Sequence, residues 1–217
     1  MKLACPESFN FKPNHCSLLV VLVKIRPGYL MDIQQKLIEA CIKGERKAEY
    51  DLYKATYSYL MSICVRYTRN ADRAKEVLNI GFLKILTNLS KYNSEVPFKP
   101  WIRKVMINTL INEYKKEKVH TGNIEYIEGY HESDNYSEIN HAITKIDVEQ
   151  IYVFISKLPP ASQQVFNLYY IDGYKHKEIG DMLNISEGTS KWHLNSAREK
   201  LKLMLTEVDV VKLIEHD

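Results

Sequence analysis

The stretch Tyr174-Lys-His-Lys-Glu-Ile-Gly-Asp-Met-Leu-Asn-Ile-Ser-Glu-Gly-Thr-Ser-Lys-Trp-His-Leu194 decides how this chain folds. Its apolar residues Ile179, Met182 and Leu183 run up to Asn184, a residue type that tolerates the left-handed backbone closing many helices. Ser186 stands just ahead of a second periodic run, where its hydroxyl can accept from the free N–H groups of a new helix. Gly180 falls inside the first helix at a cost of about 1 kcal/mol relative to alanine, which predicts that another helix packs closely there. Two helices meeting at such a corner make a helix-turn-helix. On the second helix Ser190, Leu194, Ala197 and Leu201 share one stripe, while Thr189, Trp192, Asn195 and Ser196 point away from it. Ser186, Thr189, Lys191, Trp192, His193, Asn195, Ser196 and Arg198 are therefore the candidate DNA-contact set, since a major-groove reader needs donors and cations on its outer face. For Trp192, packing on a neighbouring helix is the competing explanation.

Composition bounds the rest. With 217 residues, 26% charged and 45% hydrophobic, the chain is ordinary globular protein with room for two small domains. A net charge of +3 is too small for a histone-like binder, so a nucleic-acid surface must come from local clustering. Cys5, Cys16, Cys41 and Cys64 form no Cys-x-x-Cys pair and have no histidine at metal spacing, which reads as reduced thiols rather than a zinc site or disulfide scaffold. No nucleophile, base and orienting group occur together, and no phosphate-binding glycine loop is present, so neither catalysis nor a cofactor is expected.

Outward from the corner, Pro159-Pro160 predicts a helix over 161–171, with an earlier one over 148–157 capped by Asp147. Residues 147–207 thus form one small helical domain. Residues 119–146 carry five acidic side chains against Lys145, with glycine, asparagine and serine between them, the composition of a flexible acidic linker. Residues 31–118 read as a second helical domain. Its periodic runs are Ile33 to Ile42, Ala48 to Tyr67, a third from the corner at Asn70 to Leu89, and a fourth from Trp101 to Lys118. Between Lys99 and Lys118 six cations face two carboxylates, and Tyr92, Phe98 and Trp101 interleave with Lys91, Lys99 and Arg103. Such a mixture suits single-stranded nucleic acid, where bases stack on rings and cations follow phosphates; Phe98 and Trp101 taken singly also suit the closing of a small bundle. Residues 1–30 differ in composition, with proline breaks around a short apolar run from Leu18 to Val23 that is too short to span a bilayer. They are expected to be an upstream extension, with Met31 as the natural start.

Taken together, these motifs resemble a bacterial RNA polymerase sigma factor of the sigma-70 family, extracytoplasmic-function (ECF) subfamily. Asp72-Arg-Ala-Lys-Glu-Val-Leu-Asn-Ile-Gly-Phe-Leu83 is similar to the polymerase-binding segment, and Val96-Pro-Phe-Lys-Pro-Trp-Ile-Arg-Lys-Val-Met-Ile-Asn108 to the segment that opens and reads the −10 element. Leu158-Pro-Pro-Ala-Ser and Ile185-Ser-Glu-Gly-Thr are similar to region 4. The resemblance implies an all-α fold of two small domains, a sigma region 2 bundle and a sigma region 4 helix-turn-helix, joined by the linker. It implies core RNA polymerase held through Asp72, Ala74, Glu76, Val77, Asn79 and Phe82, and −10 DNA held by Lys99, Trp101, Arg103, Lys104 and Asn108. The candidate set on the second helix of the corner would then read the −35 element. An anti-sigma factor is a further partner that the resemblance allows, in a cytoplasmic protein with no membrane insertion. Asn79-Ile80 departs from the Gln-Glu common at that place in the family, and Gly180 with Asn184 departs from its usual small residue and turn glycine. The rival assignment is a helix-turn-helix regulator whose N-terminal helices sense a ligand; a helical adaptor that binds only proteins would leave Lys191, His193 and Arg198 without purpose.

Overall fold

The computed structural model describes the backbone of residues 35–121 and 148–214, and the side chains of 35–119 and 152–205. Among the described residues every regular element is helical. The expectations for residues 1–30 and for most of the 119–146 linker lie outside them.

The N-terminal unit comprises α1 (Gln35–Ile42), α2 (Arg46–Tyr67), α3 (Ala71–Asn88), a 3-10 turn (Leu89–Lys91) and α4 (Phe98–Thr121). Asn70 caps α3, its Oδ1 accepting the Arg73 N–H at 2.7 Å. Leu52, Leu60, Ile63, Leu78, Ile85, Ile102 and Met106 are fully buried where α2, α3 and α4 pack together. Each such side chain contributes roughly 1.5–3 kcal/mol through loss of contact with water. Helix α4 starts before Pro100, which is tolerated because a first-turn N–H has no intrahelical acceptor. It also continues to Thr121, beyond the expected end at Lys118. Cys41 and Cys64 are buried here as free thiols, and burial pushes the Cys64 thiol up to about 12 and keeps it unreactive.

The C-terminal unit comprises α5 (Val148–Ser156), α6 (Pro160–Phe166), a π-helical turn (Asn167–Ile171), α7 (His176–Leu183) and α8 (Glu187–Ile214). Pro160 occupies the first turn of α6, as its missing N–H permits. The expected helix over 161–171 is α-helical only to Phe166; the Asp172 N–H then reaches back to the Asn167 carbonyl at 3.0 Å and widens the last turn. Asn184 has φ 55° and ψ 50°, the left-handed conformation expected at the corner. Ser186 Oγ accepts the Thr189 N–H at 2.9 Å. What crowds Gly180 is the backbone of the turn rather than the packed helix expected there, because a Cβ would stand 2.8 Å from the Ile185 carbonyl oxygen.

The two units touch directly. Gln163 and Asn167 donate side-chain amides to the Arg66 carbonyl at 3.0 and 2.7 Å, and Gln164 donates to the Tyr67 carbonyl at 3.1 Å. These carbonyls end α2 and have no partner further along their own helix, so the amides of α6 and the π turn complete them. Arg69 donates to the Leu158 carbonyl at 3.2 Å, and Lys115 on α4 reaches Asn184 Oδ1 at the helix-turn-helix corner, 3.4 Å away.

Candidate nucleic-acid interface

The helix-turn-helix is held by α7 crossing α8 over Ile179, Leu183, Leu194 and Ala197. The stripe Ser190, Leu194, Ala197 and Leu201 is buried as its spacing demands. Ser190 interrupts the apolar stripe without cost because its hydroxyl pairs with His176 Nδ1 at 2.9 Å, and the His176 ring stacks on Tyr169 at 4.6 Å. His193 is a correction: it is only 3% exposed, with Nδ1 3.1 Å from Ser162 Oγ, so it ties α8 to α6 and presents no edge to DNA. Burial, with the Lys118 charge as a lesser cause, pushes its pKa down to about 4 and keeps it neutral.

The remaining members of the set lie on the outer side. Ser186 and Lys191 are exposed, and Thr189, Trp192, Asn195, Ser196 and Arg198 are partly so. Lys191 pairs with Glu187 one turn back at 2.9 Å, a surface ion pair of little net worth that leaves its ammonium near the face. Arg198 donates through Nε to the Tyr170 hydroxyl at 2.6 Å and through Nη1 to Asn195 Oδ1 at 3.2 Å, so its guanidinium is fixed in orientation. Trp192 is half-buried and lies edge-on to the ring of its own chain neighbour His193 at 5.0 Å, a contact within α8 rather than with another helix.

On α4, Lys104 and Asn108 are exposed and one turn apart. Trp101 is half-buried in a cluster with Tyr92 at 5.1 Å and Phe98 at 5.7 Å, and Phe98 itself is buried. Phe98 thus closes the bundle core and Trp101 packs at its rim. Lys99 lies over the Tyr59 ring at 4.7 Å. Arg103 faces the other unit: its Nε donates to Asp172 Oδ1 at 3.0 Å and its Nη2 to the Ile171 carbonyl at 3.0 Å.

The expected polymerase set divides by face. Asp72, Glu76 and Asn79 are exposed along one line of α3. Ala74, Val77 and Phe82 are corrections, since they point inward at 0%, 1% and 8% exposure, and Phe82 meets Tyr53 edge-on at 4.9 Å. Leu83, despite its apolar side chain, is 61% exposed and continues the Asp72, Glu76, Asn79 line. Its position eleven residues after Asp72 was the available signal, overridden by its apolar side chain.

A helix-turn-helix with an outward polar face, joined to a helical bundle bearing a basic aromatic helix, defines a two-part DNA reader. Comparison with known proteins narrows this class. Residues 52–119 match the family model described as Sigma-70 region 2, and residues 149–201 match Sigma-70, region 4. The chain is 25% identical over 182 residues to the ECF RNA polymerase sigma factor SigW of Bacillus subtilis, covering 80% of this chain and 97% of that protein. It is 23% identical over 176 residues to the RNA polymerase sigma-H factor of Pseudomonas aeruginosa, covering 77% and 91% respectively. The solved complex of the sigma factor RpoE with the anti-sigma factor NepR from Bartonella quintana matches 74% of this chain and 97% of its own chain at 14% identity and a TM-score of 0.45. The chain belongs to the sigma-70 family of RNA polymerase sigma factors, within the ECF group. It is a transcription initiation factor that binds core RNA polymerase and promoter DNA, and not an enzyme. No helix of the described residues is long and apolar enough to cross a membrane.

Proposed function

We propose that promoter reading by this sigma factor is divided between two exposed faces, with polymerase held by a third. On α8, Ser186, Thr189, Lys191, Trp192, Asn195, Ser196 and Arg198 read the −35 element, while Lys99, Trp101, Arg103, Lys104 and Asn108 on α4 hold the −10 strand as it opens. The line Asp72, Glu76, Asn79 and Leu83 on α3 docks polymerase, in a protein that works in the cytoplasm and is open to control by an anti-sigma factor. The observation that carries the division is the inward stripe of α8: with Ser190, Leu194, Ala197 and Leu201 buried, the polar residues between them must face outward at the end of a helix-turn-helix. Phosphate contacts set position, and side chains such as Asn195 and Arg198 supply base contacts.

Reconstitution with bacterial core polymerase and mapping of transcript starts tests this function. Lys191→Ala with Asn195→Ala should remove dependence on the −35 sequence while core binding persists. Loss of dependence on the −10 element alone from that pair would refute the division.

A further inference from the structure

Arg66 is a buried cation in the last turn of α2, 7% exposed, and its Nε has no hydrogen-bond partner. A buried guanidinium is costly unless an anion lies close by. The anion here comes from the other unit. Asp172 follows the π turn, its side chain is 0% exposed, and its Oδ1 lies 3.8 Å from Arg66 Nη2. The same oxygen accepts from Arg103 Nε at 3.0 Å and also meets Arg103 Nη2, while the Tyr67 hydroxyl donates to Oδ2. Burial, and then the Asp172 charge, push the Tyr67 phenol well up, so it stays protonated as a donor. One carboxylate thus fills a seat built from two guanidinium groups and a hydroxyl, which leaves one positive charge in excess. Planar guanidinium forks fit phosphate oxygens as well as carboxylate oxygens.

Every donor of this seat belongs to the region 2 bundle, and Arg103 lies on the helix assigned to the −10 strand. The carboxylate belongs to region 4. It is placed by docking contacts that have nothing to do with charge, the amides of Gln163, Gln164 and Asn167 on the carbonyls of Arg66 and Tyr67. We propose that Arg66, Arg103 and Tyr67 form a binding seat for a backbone phosphate of the DNA strand held by α4, and that Asp172 occupies this seat as an intramolecular phosphate mimic while the two units are docked. Separation of the units withdraws the carboxylate and exposes the seat, so the closed chain cannot hold the strand with Arg103. The inference rests on the assignment of α4 to the −10 strand and adds Arg66, Tyr67 and Asp172 to it.

The test uses the full chain without polymerase and a short, fluorescently labelled single-stranded DNA of mixed sequence, with binding followed by anisotropy across a salt series. Asp172→Asn should bind about tenfold tighter than the unsubstituted chain at low salt, with a log–log salt dependence steeper by about one counterion. Adding Arg66→Ala to Asp172→Asn should return both affinity and slope to the starting values. Circular dichroism checks that each variant is folded. If Asp172→Asn fails that check, Gln163→Ala with Gln164→Ala loosens the same docking without altering the seat, and should also tighten binding. Affinity and slope unchanged in every folded variant overturn the inference. In the polymerase complex, promoter melting that is slowed by Lys104→Ala but indifferent to Arg66→Ala overturns the seat alone, whereas melting indifferent to Lys104→Ala as well removes the assignment of α4 on which it rests.

Discussion

His193 makes the stability of the region 4 unit depend on pH in a way that can be sized from the structure. Its pKa is pushed from 6.5 down to about 4 by burial between α8 and α6, with the Lys118 charge assisting. The folded value lies below the unfolded one, so the unfolded chain binds the proton first as the pH falls. The contribution is therefore fully present above the unfolded pKa and is lost as the pH drops from 6.5 toward 4. At about 1.4 kcal/mol per pH unit the whole window is worth about 3 kcal/mol, of which about 2.5 kcal/mol should be gone by roughly pH 4.5. Carboxylates titrate in the same range and His176 is shifted down as well, so the informative quantity is a difference between variants. His193→Asn keeps a hydrogen-bonding atom near Ser162 and cannot titrate. Urea unfolding at neutral pH and near pH 4.5, followed by circular dichroism and by tryptophan fluorescence in a Trp101→Phe background, where the signal is that of Trp192 at 5.0 Å from the His193 ring, gives both slopes. The unsubstituted chain should lose about 2.5 kcal/mol more than the variant over that interval. Equal losses would show that His193 is reached by water and is not the buried neutral group described above.

Asn184→Gly should leave the melting temperature nearly unchanged, whereas Asn184→Ala should cost about 1 kcal/mol, because alanine is strained at φ 55°. Gly180→Ala should destabilise the unit despite the better helix propensity of alanine, since its Cβ would stand 2.8 Å from the Ile185 carbonyl, and −35 dependence should fall with it; a rise in melting temperature would contradict the geometry. Replacing Asp72, Asn79 and Leu83 together by alanine should weaken capture by core polymerase at constant circular dichroism, and unchanged capture would move the interface off α3. Lys104→Ala should slow promoter melting more than closed-complex formation, a difference that stopped-flow fluorescence resolves; equal slowing would count against strand contact by α4.

Local chemistry was readable along the chain, and contacts between distant segments were not. The corner could be placed because Asn184, Ser186 and Gly180 each answer to a backbone need within a few residues, and Asn70 and Pro160 likewise mark helix starts. His193 was misassigned because its polar side chain outweighed its position: it follows Ser190 by three and precedes Ala197 by four, which puts it on the buried stripe. The same error in reverse affected Leu83, whose angle on α3 places it with Asp72 and Asn79 although its side chain suggests the core. Ala74, Val77 and Phe82 came from a motif that extends around the helix, and periodicity alone would have turned them inward. Nothing local announces that Asp172 will meet Arg66 and Arg103. That pairing depends on a π turn that no residue pattern marked, and on amides reaching the end of a helix about a hundred residues earlier.

The character of the contact between the two units bears on how a sigma factor must move. At its centre are Gln163, Gln164, Asn167, Asp172, Arg66, Arg103 and the Tyr67 hydroxyl, side chains that water can satisfy when the units part. Apolar residues of both units share one buried cluster beside these pairs and resist opening by roughly 25 cal/mol for each Å² returned to water, whereas the polar pairs regain hydration and contribute only about 0.5–1.5 kcal/mol net apiece. Two readers that must address separated promoter elements need polar pairs of this kind at the centre of the contact, sufficient to keep Arg103 of α4 covered in the free chain and weak enough for polymerase to displace. Once polymerase fixes one unit, the second is held near its own element at high effective concentration, so the two moderate contacts act as one specific binder. Burying Arg66 against a carboxylate from the partner unit fits this requirement, because the charge that makes the closed form tolerable is also the charge that a DNA phosphate can replace.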